Sequence, residues 1–218
     1  MTKSPGIKTK EKIHQEAIRQ FSEFGIQNIT SRHIAKGIGI SYGNLNYHFK
    51  TKEDLIWDIY RRMREEMDAT YIEKGEEMSA LEHYHKLLLQ LEDFQYKYQF
   101  FNLDVLEICR CYPSVNESIQ NTLKERKKIS LSILSSIIEE GFMNPIPQET
   151  LERIEHINRM IVSFWLTQRD VLISYDYRQK GDMVKSIYTM LQPYLTLEGK
   201  EEIARNIEKH GYSLLSKK

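Results

Sequence analysis

The sequence predicts an all-α protein of roughly nine or ten helices, a small basic head followed by a larger helical body. Three observations carry that expectation. Apolar residues recur with helical spacing along almost the whole chain, and no run alternates as a half-buried strand would. Glycine and proline are sparse, ten and five, and fall mostly between the periodic segments. The charges are also segregated. Net charge is zero overall, yet residues 1–52 hold nine Lys or Arg against three acids, a net of +6 that the remainder cancels. A basic end on a neutral protein is a local electrostatic footprint for a polyanion.

The elements follow in order. Ile13, Ala17, Phe21 and Phe24 share one face of a first helix that begins near Thr9, and Gly25 stops it. Short helices are expected at 31–37 and 42–48, each opened by its own signal. Thr30 and Ser41 are good N-caps, with Ile29 and Ile34, then Ile40 and Leu45, as hydrophobic staples. Between them Gly37-Ile38-Gly39-Ile40 supplies a tight turn in which glycine takes the left-handed conformation. Thr51 caps a longer helix running to about Lys74, with Asp54 in the capping-box position and Glu53 at its positive end. Further helices are expected at about 80–98, 102–111, 114–140 after a break at Pro113, 148–175 after a Gly141–Pro147 loop, 182–193 and 198–215.

Composition narrows the function. An apolar fraction of 40% and a charged fraction of 28% fit an ordinary soluble protein with a sizeable core. Cys109 and Cys111 are the only cysteines, two apart on a helix, so no disulfide framework is expected and a reducing, cytoplasmic setting follows. The polar start lacks the apolar region of a signal peptide, and the longest apolar stretch, Met160 to Leu166, is too short for a membrane span. Glu82, His83 and His85 resemble metal ligands in composition, but positions two apart on a helix do not converge, so no metal site is expected. Neither a phosphate loop, a nucleophile elbow nor a carboxylate pair is present, so the chain is read as a non-enzyme without a cofactor.

What remains is the segment from Ile29 to Leu55. Two stapled short helices joined by a four-residue glycine turn form a helix-turn-helix, with Ile34, Ala35, Ile38, Leu45, Phe49 and Phe21 as its core. The second helix exposes Tyr42, Gly43, Asn44, Asn46, Tyr47 and His48, and Ser41, Lys50 and Lys52 flank it. Gly43 costs about 1 kcal/mol relative to Ala inside a helix, which points to close approach of a partner surface. Asn and Tyr pair with base edges and phosphates, and Lys52 beside a helix N-terminus is a phosphate site. Thr30, Ser31 and Arg32 at the start of the first short helix complete the candidate double-stranded-DNA interface.

The same run resembles the TetR (tetracycline-repressor) family of regulators. Ile34-Ala35, Gly39, Ser41, Gly43, Leu45, Tyr47-His48-Phe49 and Lys52-Glu53-Asp54-Leu55 match its pattern, as do Phe21 and Gly25 upstream. Asn46, where the family often has Tyr, and Gly37 depart from it. The match covers residues 9–56, about a quarter of the chain. The resemblance implies a DNA-binding domain over 1–55, a helical ligand-binding and dimerisation domain over 56–218, and a repressor released from a palindromic operator by a small molecule. The body offers Tyr84, Leu88, Phe94, Tyr98, Phe101, Met160, Phe164 and Trp165 as a candidate pocket for a small apolar ligand. Ile161, Trp165, Ile187 and Leu191 are candidate homodimer contacts on apolar stripes. The alternative is an architectural or activator DNA-binding protein without a ligand.

Overall fold

The computed structural model describes residues 5–212. Among them are eleven α-helices: α1 (Pro5–Phe24), α2 (Ser31–Gly37), α3 (Tyr42–His48), α4 (Lys52–Ala69), α5 (Ala80–Lys97), α6 (Gln99–Leu103), α7 (Val105–Cys111), α8 (Pro113–Glu139), α9 (Gln148–Val171), α10 (Asp182–Leu191) and α11 (Leu197–His210). Single 3-10 turns lie at Ile26–Asn28 and Gln192–Tyr194. The expected helix at 102–111 is instead two, α6 and α7, meeting at Asp104. That residue's N–H donates to Phe100 and its carbonyl accepts from Ile108, both at 2.9 Å, so the hydrogen-bond ladder turns without a loop. Helices α4 and α9 stop several residues short of their expected ends. The expected end of the last helix, residues 213–215, lies outside the described residues. Among those described, no helix is long and apolar enough to cross a membrane.

The chain forms two units that do not divide at residue 55. The first takes in residues up to Ala69 and also Tyr98–Asn121; the second holds Thr70–Lys97 and Thr122 onward. The physical reason is the core of the first unit. Ile13, Ala17 and Phe21 of α1 are buried with Leu55, Ile56, Ile59 and Tyr60 of α4, so α4 belongs with the head rather than the body. Phe100 and Phe101 of α6 join them. The Phe21 and Phe100 rings lie 5.5 Å apart, and Phe101 stacks on Tyr60 at 5.0 Å. The Tyr98 hydroxyl donates to Glu66 at 2.6 Å.

A polar knot joins α1 to α4 beside this core. Asp58, almost fully buried, lies 3.1 Å from Lys10, 2.8 Å from His14 and 2.8 Å from Arg61. Burial works against the Asp58 carboxylate, but hydrogen bonds from Arg61 and Lys10 outweigh it and hold its pKa below the usual range. Desolvation, then the Arg62 charge, push His14 down to about 4 despite the Asp58 carboxylate, so the imidazole is neutral at physiological pH.

In the second unit α11 packs on α5. The Glu82 carboxylate accepts from Lys209 and His210 at 3.0 and 2.8 Å. His85, fully buried, donates from Nε2 to the Gly211 carbonyl at 2.7 Å, which leaves Nδ1 to accept from Tyr188 at 2.6 Å. Gly199 lets α11 lie on the Phe142 carbonyl: a Cβ there would sit 2.0 Å from that oxygen. Ile187 and Leu191 of α10 are at 0% exposure, so they belong to the protomer's own core and not to a dimer interface, a correction to the expectation from the stripe. The ten-residue α10 buries its apolar face against α5 and α9.

His14 makes the fold acid-sensitive in a defined window. Unfolded, it protonates near 6.5; folded, it stays neutral down to about 4. Stability from this group is complete above 6.5 and falls as pH drops toward 4, because only the unfolded chain takes up the proton. Urea unfolding at pH 7 and pH 5 should differ by about 2 kcal/mol more in the unsubstituted protein than in His14→Gln. Equal pH dependence in the two would show that His14 titrates normally in the fold.

Candidate nucleic-acid interface

Helices α2 and α3 begin and end where their capping residues place them. The Thr30 hydroxyl accepts from the His33 N–H at 3.3 Å, while His33 Nδ1 accepts from the Thr30 N–H at 3.3 Å. Ser41 accepts from Asn44 at 3.1 Å. The reciprocal role of His33 was not read from the sequence, since capping boxes are recognised by Glu or Gln at that position. Gly39 takes φ 69°, the left-handed turn, while Gly37 serves another purpose. A Cβ at Gly37 would meet Glu16 Oε1 at 2.1 Å and Gln20 Nε2 at 2.7 Å. The missing side chain therefore lets α2 close onto α1, where Gln20 donates to the His33 carbonyl at 3.1 Å.

This seating buries Ile34, Ala35, Leu45 and Phe49 and turns the opposite face outward. Thr30, Arg32, Ser41, Tyr42, Gly43, Asn44, Tyr47 and Lys50 are exposed; Ser31, Asn46 and His48 are half-buried. Tyr47, 86% exposed, is the most exposed of the large apolar side chains among the described residues, an arrangement that burial cannot account for. The Arg32 guanidinium stacks over Tyr42 at 5.3 Å and links the two helices across the turn. Around Gly43 a Cβ would find only Ser41 Oγ, at 3.9 Å, so the α3 surface is flat and open there. Lys36, overlooked in the sequence because it lies past the α2 N-terminus, is exposed in that helix's last turn.

Lys52 requires a correction. It does not display its ammonium beside the α4 N-terminus. The side chain is half-buried, Nζ donates to the Ile26 carbonyl, and it lies over the Phe21 ring at 5.6 Å and the Tyr112 ring at 6.0 Å. Desolvation lowers its pKa against the opposing pull of Glu107 and Asp104. Lys10 is likewise turned inward, to Asp58 and over Phe49 at 5.1 Å. The exposed basic groups of this end, among the described residues, are Lys8, Lys12, Arg19, Arg32, Lys36 and Lys50, with Arg19 paired to Glu16 and Glu23.

The body residues are not brought together. Tyr84, Leu88 and Trp165 are buried in the second unit and Phe94 is half-buried there, but Tyr98 and Phe101 belong to the first. Met160 and Phe164, at 43% and 44% exposure, lie on the protein surface and not in an interior pocket. Trp165 is buried on the other side of α9, which removes it from a dimer surface, and Ile161 is half-buried.

A helix-turn-helix packed with α1 and α4, in a chain with a second helical unit, is the architecture of a bacterial one-chain regulator. Two family models match: "Bacterial regulatory proteins, tetR family" over residues 13–58 and "Bacterial transcriptional repressor", the TetR model, over residues 62–203. The chain belongs to the TetR family. It is 28% identical over 145 residues to the HTH-type transcriptional repressor KstR2 of Mycobacterium tuberculosis, 59% of this chain and 66% of that one. It is 39% identical over 56 residues to an HTH-type transcriptional regulator of Staphylococcus aureus, 26% of this chain and 30% of that one. The match thus spans from under a third to about two thirds of these relatives' lengths. A TetR-family transcriptional regulator from Marinobacter aquaeolei superposes with a TM-score of 0.81 at 25% identity, covering 93% of this chain and 98% of that one.

Asn44→Ala should cost about 1–3 kcal/mol on an operator obtained by in vitro selection and relax preference at one base position. An equal loss on random-sequence DNA would place Asn44 on the phosphate backbone instead.

Proposed function

We propose that the protein is a transcriptional regulator, a repressor in its usual output, that binds a palindromic operator as a homodimer and is released by a small molecule. The observation that carries the DNA-binding part is the outward face of α3. Tyr42, Asn44 and Tyr47 are exposed on a helix whose opposite side buries Leu45. A helix of this kind enters the major groove by its N-terminal residues, and two heads on a two-fold axis read half-sites one helical turn apart or a multiple of it.

Homodimerisation rests on α9. Met160, Phe164 and Val171 occupy one side of the helix at 43%, 44% and 70% exposure, while Asn158, Val162 and Trp165 on the other side are buried. An apolar helical stripe left on the surface of a soluble protein fits a self-complementary contact with a second copy. This stripe replaces the α10 positions as the interface.

Buried polar atoms in the second unit favour a ligand with polar groups over the largely apolar molecule expected from the sequence. Tyr84 and Gln95 of α5, with Asn158 and Trp165 of α9, each bury a polar atom that finds no hydrogen-bond partner among the described residues. Buried polar atoms ordinarily meet a partner, from protein, ordered water or ligand. A structure of similar fold from Saccharomonospora viridis, a transcriptional regulator at 16% identity with a TM-score of 0.68, is in complex with choline. A ligand that weakens operator binding must favour one state of the body over the other, by about 5.5 kcal/mol for a full reversal.

Phe164→Glu should convert a dimer at micromolar concentration to a folded monomer and abolish operator binding, read by sedimentation and by titration of the selected operator. A Phe164→Glu protein that remains dimeric removes α9 from the interface. Thermal-shift screening for ligands, followed by operator titration with each hit, tests release. Hits that all leave operator affinity unchanged would leave the architectural reading in its place.

A further inference from the structure

The face of α9 that packs on α5 ends in hydrogen-bond donors. Trp165 Nε1, Gln168 Nε2 and Arg169 Nε are each buried, and none meets an acceptor among the described residues. Standing at i, i+3 and i+4, the three side chains share one side of the helix within a single turn. The same face is tied to α5 at two points. Gln95 donates from Nε2 to the Val162 carbonyl, and Arg169 Nη1 donates to the Tyr96 hydroxyl at 2.9 Å, with its guanidinium 5.4 Å from the ring centroid. Desolvation raises the Tyr96 pKa against the Arg169 charge, so the phenol keeps its proton. Its oxygen accepts from Arg169, which leaves its own O–H to donate beside the other three.

Charge at this place is unbalanced in the same direction. Arg169 pairs with no carboxylate among the described residues. The acids around Tyr96 are committed elsewhere: Asp93 to Lys180 at 2.7 Å, Asp182 to Lys185 at 3.1 Å and the Gln179 N–H at 2.9 Å, and Glu92 to the Gly181 N–H at 2.8 Å. Lys180 adds a second cation 5.2 Å from the Tyr96 ring. The unpartnered acceptors, Gln95 Oε1 and Asn158 Oδ1, lie further back, the first opposite Val162 and the second two turns before Trp165. Donors and acceptors are thus segregated along α9. A cation drawn from water costs least when an anion meets it, and a row of donors is satisfied by a group that only accepts.

We propose that this end of α9 is an oxyanion subsite, in which Arg169, Trp165 and Gln168, with the Tyr96 hydroxyl, hold the carboxylate or phosphate of a small-molecule ligand. The inference rests on the ligand reading above and deepens it: that reading asks for polar groups, and the subsite adds their charge. With Nη1 on Tyr96, the Nε–Nη2 edge of Arg169 is the one left to meet two oxygens side by side, the bidentate geometry of arginine with carboxylate and phosphate. A positively charged ligand is turned away by the same guanidinium.

The test uses the full-length protein and probes of one chain length: octanoate, octyl phosphate, octanol and octyltrimethylammonium, titrated by calorimetry at constant ionic strength. The unsubstituted protein should bind one of the anions about tenfold or more tighter than octanol, as expected for hydrogen bonds to a charged group. The better anion tells carboxylate from phosphate. The indole N–H resonance of Trp165, assigned by its loss in Trp165→Phe, should move with that anion and stay in place with octanol. Octanol or the ammonium binding as tightly as the anions, or no binding of any probe, overturns the proposal. Arg169→Gln should lower anion affinity about tenfold and leave octanol unchanged, with partial recovery in Arg169→Lys. Full anion affinity in Arg169→Gln puts the anion elsewhere and overturns it too. Should Arg169→Gln fail to fold, the probe ranking and the indole resonance of the unsubstituted protein decide the matter. Operator titration keeps the two readings apart. An anion that binds through Arg169 but leaves operator affinity unchanged keeps the subsite and removes release, whereas release by octanol without preference for the anions keeps release and removes the subsite.

Discussion

A seven-residue helix has no stability of its own in water, because the cost of nucleating it is recovered only over several further turns. The surface proposed to meet DNA rests on two such helices, α2 and α3. Everything else in the first unit follows from that constraint. Caps at Thr30 and Ser41 satisfy their first amides, and Gly37 brings α2 within reach of Gln20 and Glu16 of α1. Ile34, Leu45 and Phe49 are buried with Phe21 and Ile13, so the stability of the short helices is borrowed from α1 and α4. The orientation of the exposed face is then a property of that core, and changes in the core should be felt by the face.

The charge pattern carries a second message once the structure is in view. A net of +6 over residues 1–52 suggests a uniformly basic surface. Several of those cations have other work. Lys10 neutralises Asp58, Arg19 bridges two glutamates along α1, and Lys52 holds a backbone carbonyl. A basic head of this size uses part of its charge as internal fastening, and only the remainder faces outward.

This explains where the sequence was legible and where it was not. The ends of α2 and α3 were readable because capping and glycine chemistry act within three or four residues. The all-helical class was readable because the apolar period is local as well. The setting of Lys52 was not legible because its position beside a helix N-terminus is visible in the sequence, whereas the Ile26 carbonyl it meets is 26 residues away. Ile187 and Leu191 were misread for a related reason. Periodicity shows that a helix has an apolar side but not whether that side meets its own protomer or another. Met160 and Phe164 illustrate the converse, apolar residues that composition assigns to an interior and that the fold leaves outside. The split at Asp104 was hidden because neither glycine nor proline marks it.

The first unit is assembled from two stretches of chain, with residues 70–97 passing through the second unit between them. The head is therefore not a detachable module. A fragment cut after α4 would lack Phe100 against Phe21, Phe101 against Tyr60 and Asp104 against the Ile26 N–H, and would expose an apolar face where those groups belong. On the ribosome the same arrangement delays completion of the head until residues up to Asn121 have emerged. Exchanging heads between regulators of this build would require transplanting the 98–121 segment along with the N-terminal helices.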